Sequence, residues 1–288
     1  MTLVLGEILI DRFPTYSRVG GAPFNFAVHL HRFGLPVRFF SRVGRDEAGE
    51  EILHLVKTLG LNPGDIQVDP NLPTGAVDVS LDARGVPEFD ILPERAYDRI
   101  DPEEAEKLLT LGAFRLVYYG TLIQRTAAGF ETVQNLLRRR SAGCRAFCDL
   151  NLRPRCYNDR VLLASLQGAD ILKLSEEEAE TAAALGYPLT KLTESGKIVL
   201  VTRGAAGSDF LSRETCKTIR SEPLSSVEDT VGAGDAYAAA AAFGLLNGAP
   251  PEKVLSGAST FAAAVCGCKG ALPEDLTVYD EVRRIYDR

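Results

Sequence analysis

DTVGAGD, residues 229–235, sets two carboxylates around two glycines, directly before AYAAAAAFGLL, an alanine-rich run that reads as a buried helix. A buried carboxylate is costly unless a partner holds it or chemistry uses it. A helix that starts near Gly232 presents unpaired N–H groups at Gly232, Ala233 and Gly234, and the small residues let an anion come close to them. Asp235 then falls in the first turn, beside that anion site. Its carboxylate can take the proton of an incoming hydroxyl while the amides receive negative charge. That pairing suits phosphoryl transfer to an alcohol. The plainer alternative is capping, with Asp229 as the N-cap and Asp235 as a first-turn charge favoured by the helix dipole.

Two other phosphate motifs fail on inspection. GRDEAGE at 44–50 has the glycine spacing of a Walker A loop but Glu50 where lysine is required. GAGDAY at 232–237 lacks the third glycine of a dinucleotide fingerprint and follows no first βα unit. DLNLRP is more promising: it ends a strand, where ligands gather in open parallel sheets, and alternation puts Asp149, Asn151 and Arg153 on one face. A strand-end ion pair is the alternative there. Near the N-terminus, Asp11 can accept hydrogen bonds and Asn25 can both donate and accept them, beside the paired Gly20 and Gly21. Read alone, the glycines make a turn and Asn25 begins a helix.

Taken together, these landmarks resemble the ribokinase-like (PfkB) carbohydrate kinases, whose second signature is D-T-x-G-A-G-D. GEILID, GGAPFNFAVHLHRFG, VGRDEAG, DLNLRP, LKLSEEEAE, VTRGAAG and CGCKGA follow in the family's order across nearly the whole chain. The resemblance implies an α/β fold, a ribokinase-like αβα sandwich with a mostly parallel central sheet and a small inserted β-sheet lid. It implies ATP-dependent phosphorylation of a sugar hydroxyl, with Asp235 as general base and Gly232, Ala233 and Gly234 as the anion hole. Asp11, Gly20, Gly21, Asn25 and Arg153 are expected against the sugar, and Ser175, Thr202 and Gly204 along the nucleotide. Glu178 is expected to organise Mg2+ and its waters, with a monovalent cation such as K+ as a further cofactor. Ser175 stands where the family's N-x-x-E motif has Asn, and Ala263, in the stretch expected to line the adenine pocket, where many relatives have Asn. GGAP at 20–23 resembles the fructokinase version of the sugar motif, so fructose is the expected acceptor. A 2-keto-3-deoxygluconate kinase or another sugar kinase is the alternative, and a sugar-binding protein without catalysis is the alternative of another class.

These residues need elements to hold them, and the chain supplies a βα alternation. The segments LVLGEILI, VRFFSRVG, RLVYYG, CRAFCDLN, DILKLS and KIVLVTRG read as strands between helical stretches, which predicts parallel strands covered by helices. Asp46 is a plausible N-cap, and Gly34 and Gly60 helix stops. Residues 74–92 break the rhythm with two extended segments around the polar turn DARG. They are expected to pack with residues 10–18 as a lid and as a possible homodimer surface. With 288 residues, one large domain spanning 1–288 fits. A net charge of -7 and a pI near 5.2 argue against a nucleic-acid surface. No signal peptide or membrane span is visible, and six cysteines without a CxxC pair suggest reduced, mostly buried thiols, so a cytoplasmic protein without membrane partners is expected. His29 and His31, two apart on a helix, face different sides and are expected at its surface or rim.

Overall fold

In the computed structural model, which describes residues 1–81, 87–110, 112–221 and 227–287, the chain alternates strand and helix around one large sheet. The strands are β1 (Thr2–Leu5), β2 (Leu9–Arg12), β3 (Ser17–Gly20), β4 (Val37–Gly44), β5 (Ile66–Asp69), β6 (Gly75–Leu81), β7 (Pro87–Ile91), β8 (Leu116–Gly120), β9 (Arg145–Asp149), β10 (Ile171–Ser175), β11 (Ile198–Thr202), β12 (Ser208–Leu211) and β13 (Cys216–Ile219). The helices are α1 (Ala22–Arg32), α2 (Glu47–Thr58), α3 (Pro102–Thr110), α4 (Ala127–Arg139), α5 (Asp159–Gly168), α6 (Glu176–Ala184), α7 (Leu189–Glu194), α8 (Ala233–Leu246), α9 (Pro251–Cys266) and α10 (Thr277–Asp287).

Nine strands form the main sheet in the order β13-β12-β11-β10-β9-β8-β1-β4-β5. All neighbours from β11 to β5 are parallel, and β12 and β13 close one edge as an antiparallel hairpin. Strands covered on both faces must be apolar throughout. β1 and β8 are accordingly buried at every residue. One face packs a core through Phe24, Phe26, Val254 and Phe261 of α1 and α9, and the other through Val133, Leu136, Leu162 and Leu166 of α4 and α5. Helix α8 is buried from Ala236 to Ala242, so alanines on every side let it lie close to α1 and α9.

The strand order reverses at β1: the chain moves from β1 to β4 on one side, then to β8 on the other. Such a switch point opens a crevice at the carboxyl ends of the strands. Over it stands a second sheet, β3-β2-β6-β7, in which the segment after β1 pairs with the inserted hairpin. β2 and β6 are parallel, so this sheet is mixed. The expected partnership of residues 10–18 with 74–92 is therefore present, while the DARG turn lies outside the described residues. Asp46 caps α2 by accepting from the Gly49 N–H at 2.9 Å, and Gly34 and Gly60 adopt positive φ after their helices.

Several expectations change. Among the free cysteines only Cys144 and Cys148 are buried, and Cys216 is exposed, because β13 is an edge strand. His29 is wholly buried rather than at a rim. Its Nδ1 lies 2.8 Å from the Tyr279 hydroxyl and its ring meets Phe261 edge-on, because α9 and α10 cover the outer side of α1. Burial, with Arg32 adding to it, pushes this imidazole down to about 3, so it is neutral. Among the described residues, no helix is long and apolar enough to cross a membrane.

Candidate active site

The glycine loop ends in Gly232, the N-cap of α8, whose φ of +82° lies in the left-handed region where a side chain is strained. A Cβ there would also run into Ala271. No side chain caps the first turn, but of the three amides expected to be unpaired, the Ala233 N–H donates a long bond to the Thr230 carbonyl at 3.4 Å. Asp229 is not the cap that the plainer reading expected. Its Oδ1 accepts from Val231 N–H at 2.9 Å, and its Oδ2 from Gly270 N–H and the Arg18 guanidinium, each at 3.2 Å. Burial opposes its charge, but these donors outweigh burial and hold the carboxyl below the usual range. Asp229 thus ties the loop to the end of α9 and to strand β3.

Asp235 is half-buried in the first turn of α8 and accepts from Asn25 Nδ2 at 2.7 Å. Burial raises its carboxyl above the ordinary value against the pull of Asn25, Lys173 and Arg153. A carboxylate raised towards neutrality is a better base. At Gly234 the backbone is helical, so the reason for glycine is space alone: a Cβ would come 3.2 Å from Lys173 Nζ. The conformational requirement belongs to Gly232.

Lys173 was not singled out from the sequence, although it is the one polar residue inside the apolar run ILKL. It is buried in the middle of β10, pairs in register with Asp149 of β9, and places Nζ 3.1 Å from Asp149 Oδ1. Burial disfavours its charge, yet Asp149, Glu178 and Asp235 together hold the ammonium above its usual value. Burial likewise raises Asp149, against Lys173. The result is a fixed cation beneath the first turn of α8.

Asp149, Ser175 and Thr202 are the last residues of three adjacent parallel strands, with Ser175 and Thr202 paired in register. Gly204 follows at a positive φ, with open space where a Cβ would stand. Ser175 and Glu178 form a capping box. The Ser175 Oγ accepts from Glu178 N–H at 3.2 Å, and Glu178 Oε2 from Ser175 N–H at 2.8 Å, while Glu178 Oε1 accepts from Leu152 N–H at 2.6 Å. The S-x-x-E spacing is a legible capping signal that the resemblance had overshadowed.

On the covering sheet, Asp11 of β2 pairs in register with Arg18 of β3, and a Cβ on Gly20 would strike the Asp11 carboxylate. Burial raises Asp11 to about 6, with Arg18 and Arg153 pulling it down and Asp235 pushing it up. Gly21, at φ +117°, lets the chain pass over the Glu7 carbonyl, and a Cβ would come 2.6 Å from that oxygen. Glu7 was also missed. It follows β1 at the switch point, is 3% exposed and has an unpartnered Oε2; burial raises it to about 7. Strand β9 ends at Asp149 and Asn151 turns at φ +40°, so alternation does not carry Asn151 and Arg153 onto one strand face. The turn instead exposes Arg153, whose charge still reaches Glu7, Asp11 and Asp235. Arg153 also lines a cleft of about 1350 Å³ beside β7.

The arrangement joins a carboxylate with a raised pKa, a helix N-terminus without a side-chain cap and a buried cation at the carboxyl edge of a parallel sheet, opposite further carboxylates on a covering sheet. Residues 12–276 match the model of the pfkB family carbohydrate kinase. A fructokinase of Salmonella typhimurium is 31% identical, the alignment covering 93% of this chain and 94% of the relative. A sugar kinase of Pyrococcus horikoshii, solved in complex with ATP, superposes with a TM-score of 0.87 at 26% identity, covering 99% of this chain and 100% of that one. An aminoimidazole riboside kinase of Salmonella enterica has the same fold, with a TM-score of 0.81, 21% identity, and 99% of each chain covered.

Proposed function

The chain belongs to the pfkB family of carbohydrate kinases, and from that premise we propose that it transfers the γ-phosphoryl group of ATP to a hydroxyl of fructose. The observation that carries this reading is Asp235, oriented by Asn25 in the first turn of α8, with the Lys173 ammonium next to Gly234. Asp235 takes the proton of the attacking hydroxyl, and the amides of Gly232, Ala233 and Gly234 with Lys173 stabilise the charge that develops on the transferred group. Asp11, Asn25 and the backbone at Gly20 and Gly21 hold the sugar. Ser175, Thr202 and Gly204 lie along the neighbouring strand ends, where the nucleotide passes. The fructose preference is supported by GGAP at 20–23 and by the fructokinase relative of S. typhimurium.

No group of three or more candidate metal ligands occurs among the described residues. The orphaned, buried Asp149 Oδ2 and the nearby Glu178 suit an ion held through one or two carboxylates, waters and phosphate oxygens, as Mg2+ is. Bound there, it would neutralise phosphate charge. The covering sheet acts as a lid that keeps water from accepting the phosphoryl group. Phe89 of its edge strand β7 and Tyr16 are 44% and 54% exposed, which supports a homodimer through the lid, testable by light scattering. Six free cysteines suit a cytoplasmic setting.

One observation favours a second reading. Arg18 and Arg153 both act on Asp11, and Arg153 has no hydrogen-bond partner among the described residues, so the site could seat the carboxylate of 2-keto-3-deoxygluconate. ADP release measured across fructose, ketodeoxygluconate, ribose, tagatose and adenosine, with and without Mg2+ and in K+ against Na+, decides. Fructose should give the highest kcat/KM. A higher value for ketodeoxygluconate transfers the assignment to the acidic sugar, and sugar binding without ADP release removes the kinase reading. Asp235→Asn should lower turnover roughly 10²- to 10⁴-fold while leaving ATP binding intact.

A further inference from the structure

Asn25 lies in the second turn of α1, 5% exposed, and α1 packs directly against α8, which carries Asp235. The two amide atoms of Asn25 are used unequally. Nδ2 donates to Asp235 Oδ2 at 2.7 Å, whereas Oδ1 is buried and has no partner. The orientation is fixed by chemistry: an ionised carboxylate only accepts, so the nitrogen must face it. Asp235 Oδ1 meanwhile has no protein donor among the described residues. A side chain held this tightly by the base, with an acceptor left over beside it, lacks only an O–H group.

We propose that Asn25 is the positioning residue of the base: its N–H fixes one oxygen of Asp235, its carbonyl accepts from a sugar hydroxyl, and the free Asp235 oxygen is thereby set against the hydroxyl that reacts. This rests on the reading of Asp235 as the base of a sugar kinase and adds the device that aligns it. Fixing the Asp235 rotamer through α1 removes one of the motions that a loosely held base would have to lose in the transition state. The same N–H favours the ionised carboxylate, as Lys173 of β10 and Arg153 of the loop after β9 also do. Glu7, Asp11 and Asp149 face Asp235 with like negative charge, and the Tyr118 hydroxyl lies nearby. All of these stay in place when Asn25 alone is changed.

The test is the pH profile of kcat/KM, taken with the panel sugar that turns over. Asn25→Asp keeps the shape but puts a second carboxyl where the donor was, and two carboxylates at that distance cannot both ionise. The acid limb should move up by one or more pH units, with activity recovering at higher pH. Asn25→Ser adds no charge and serves if the Asp variant does not fold. It should move the limb by about one unit, in line with the loss of one hydrogen bond to a charged group. A structural role alone would lower the melting temperature without moving the limb. If the wild-type protein turns over a sugar and both limbs stay where they were, the role of Asn25 is overturned while the kinase reading stands. If no sugar supports ADP release, both fall.

Discussion

At the scale of single residues, the proposed transfer rests on two buried charges. Lys173 is a cation that cannot drift, because it is buried and held by Asp149, and Asp235, the proposed base, is raised by burial. Lys173→Met should cost kcat roughly 10²-fold or more, in the range of losing one group that stabilises developing charge. It should also leave Asp149 as an uncompensated buried carboxyl, so the variant should melt lower at pH 8 than at pH 5. Steady-state turnover and thermal melts at the two pH values check both parts. Unchanged kcat would detach Lys173 from the transferred phosphoryl group. Lys173 was legible as a lone cation in an apolar strand. What was not legible was its height, because only register with Asp149 and the packing of α8 over β10 bring it under Gly234.

Elements set the angles. Ser175 and Glu178 begin α6 with a reciprocal cap, and Glu178 also holds Leu152 in the loop that carries Arg153. Ser175→Ala should therefore lose about 1 kcal/mol of stability, the usual worth of an N-cap, read from urea unfolding. A change within error would mean that the cap contributes nothing here. Gly232 is the other elemental constraint. Gly232→Val faces both a positive φ and contact with Ala271, so it should abolish turnover and displace the start of α8. A variant with more than about a tenth of wild-type kcat would contradict the proposal that the loop is an anion hole.

Across the whole molecule the covering sheet and the titrating interior both matter. Replacing residues 76–90 with a short Gly/Ser loop removes the partner strands of β2. It should raise KM for sugar and increase ATP hydrolysis relative to sugar phosphorylation, with the main sheet still folded. Unchanged KM and coupling would end the lid assignment. Glu7 titrates near 7 in the fold but near the ordinary 4.5 when unfolded, and Asp11 near 6 against 3.8. A raised carboxyl stabilises most below its unfolded value, and that contribution is lost as pH rises through the folded one. Both groups therefore lose stability progressively as pH rises from about 4 to 7, and the full cost stands above that window. His29, lowered to about 3 from 6.5, acts oppositely, its stabilisation being lost as pH falls from 6.5. Glu7→Gln should leave melting near pH 4 almost unchanged and raise it at pH 8. Equal shifts at both pH values would show that Glu7 does not titrate as stated.

The sequence by itself determined the βα rhythm, the glycine-loop helix start and the place of Asp235 in its first turn, because these depend on local periodicity, capping and a contiguous signature. It also marked residues 74–92 as standing apart. Only tertiary structure decided what meets Asp235. Asn25 is 210 residues away and reaches it because α1 packs on α8; Lys173 reaches Gly234 from the middle of β10; Arg18 crosses from β3 to Asp229. The same packing buried His29, whose helical spacing said nothing about the α9 and α10 that would cover it. Periodicity reports which way a side chain faces along its own element, whereas a site is made by elements distant in sequence whose neighbours are chosen by the strand order of the sheet.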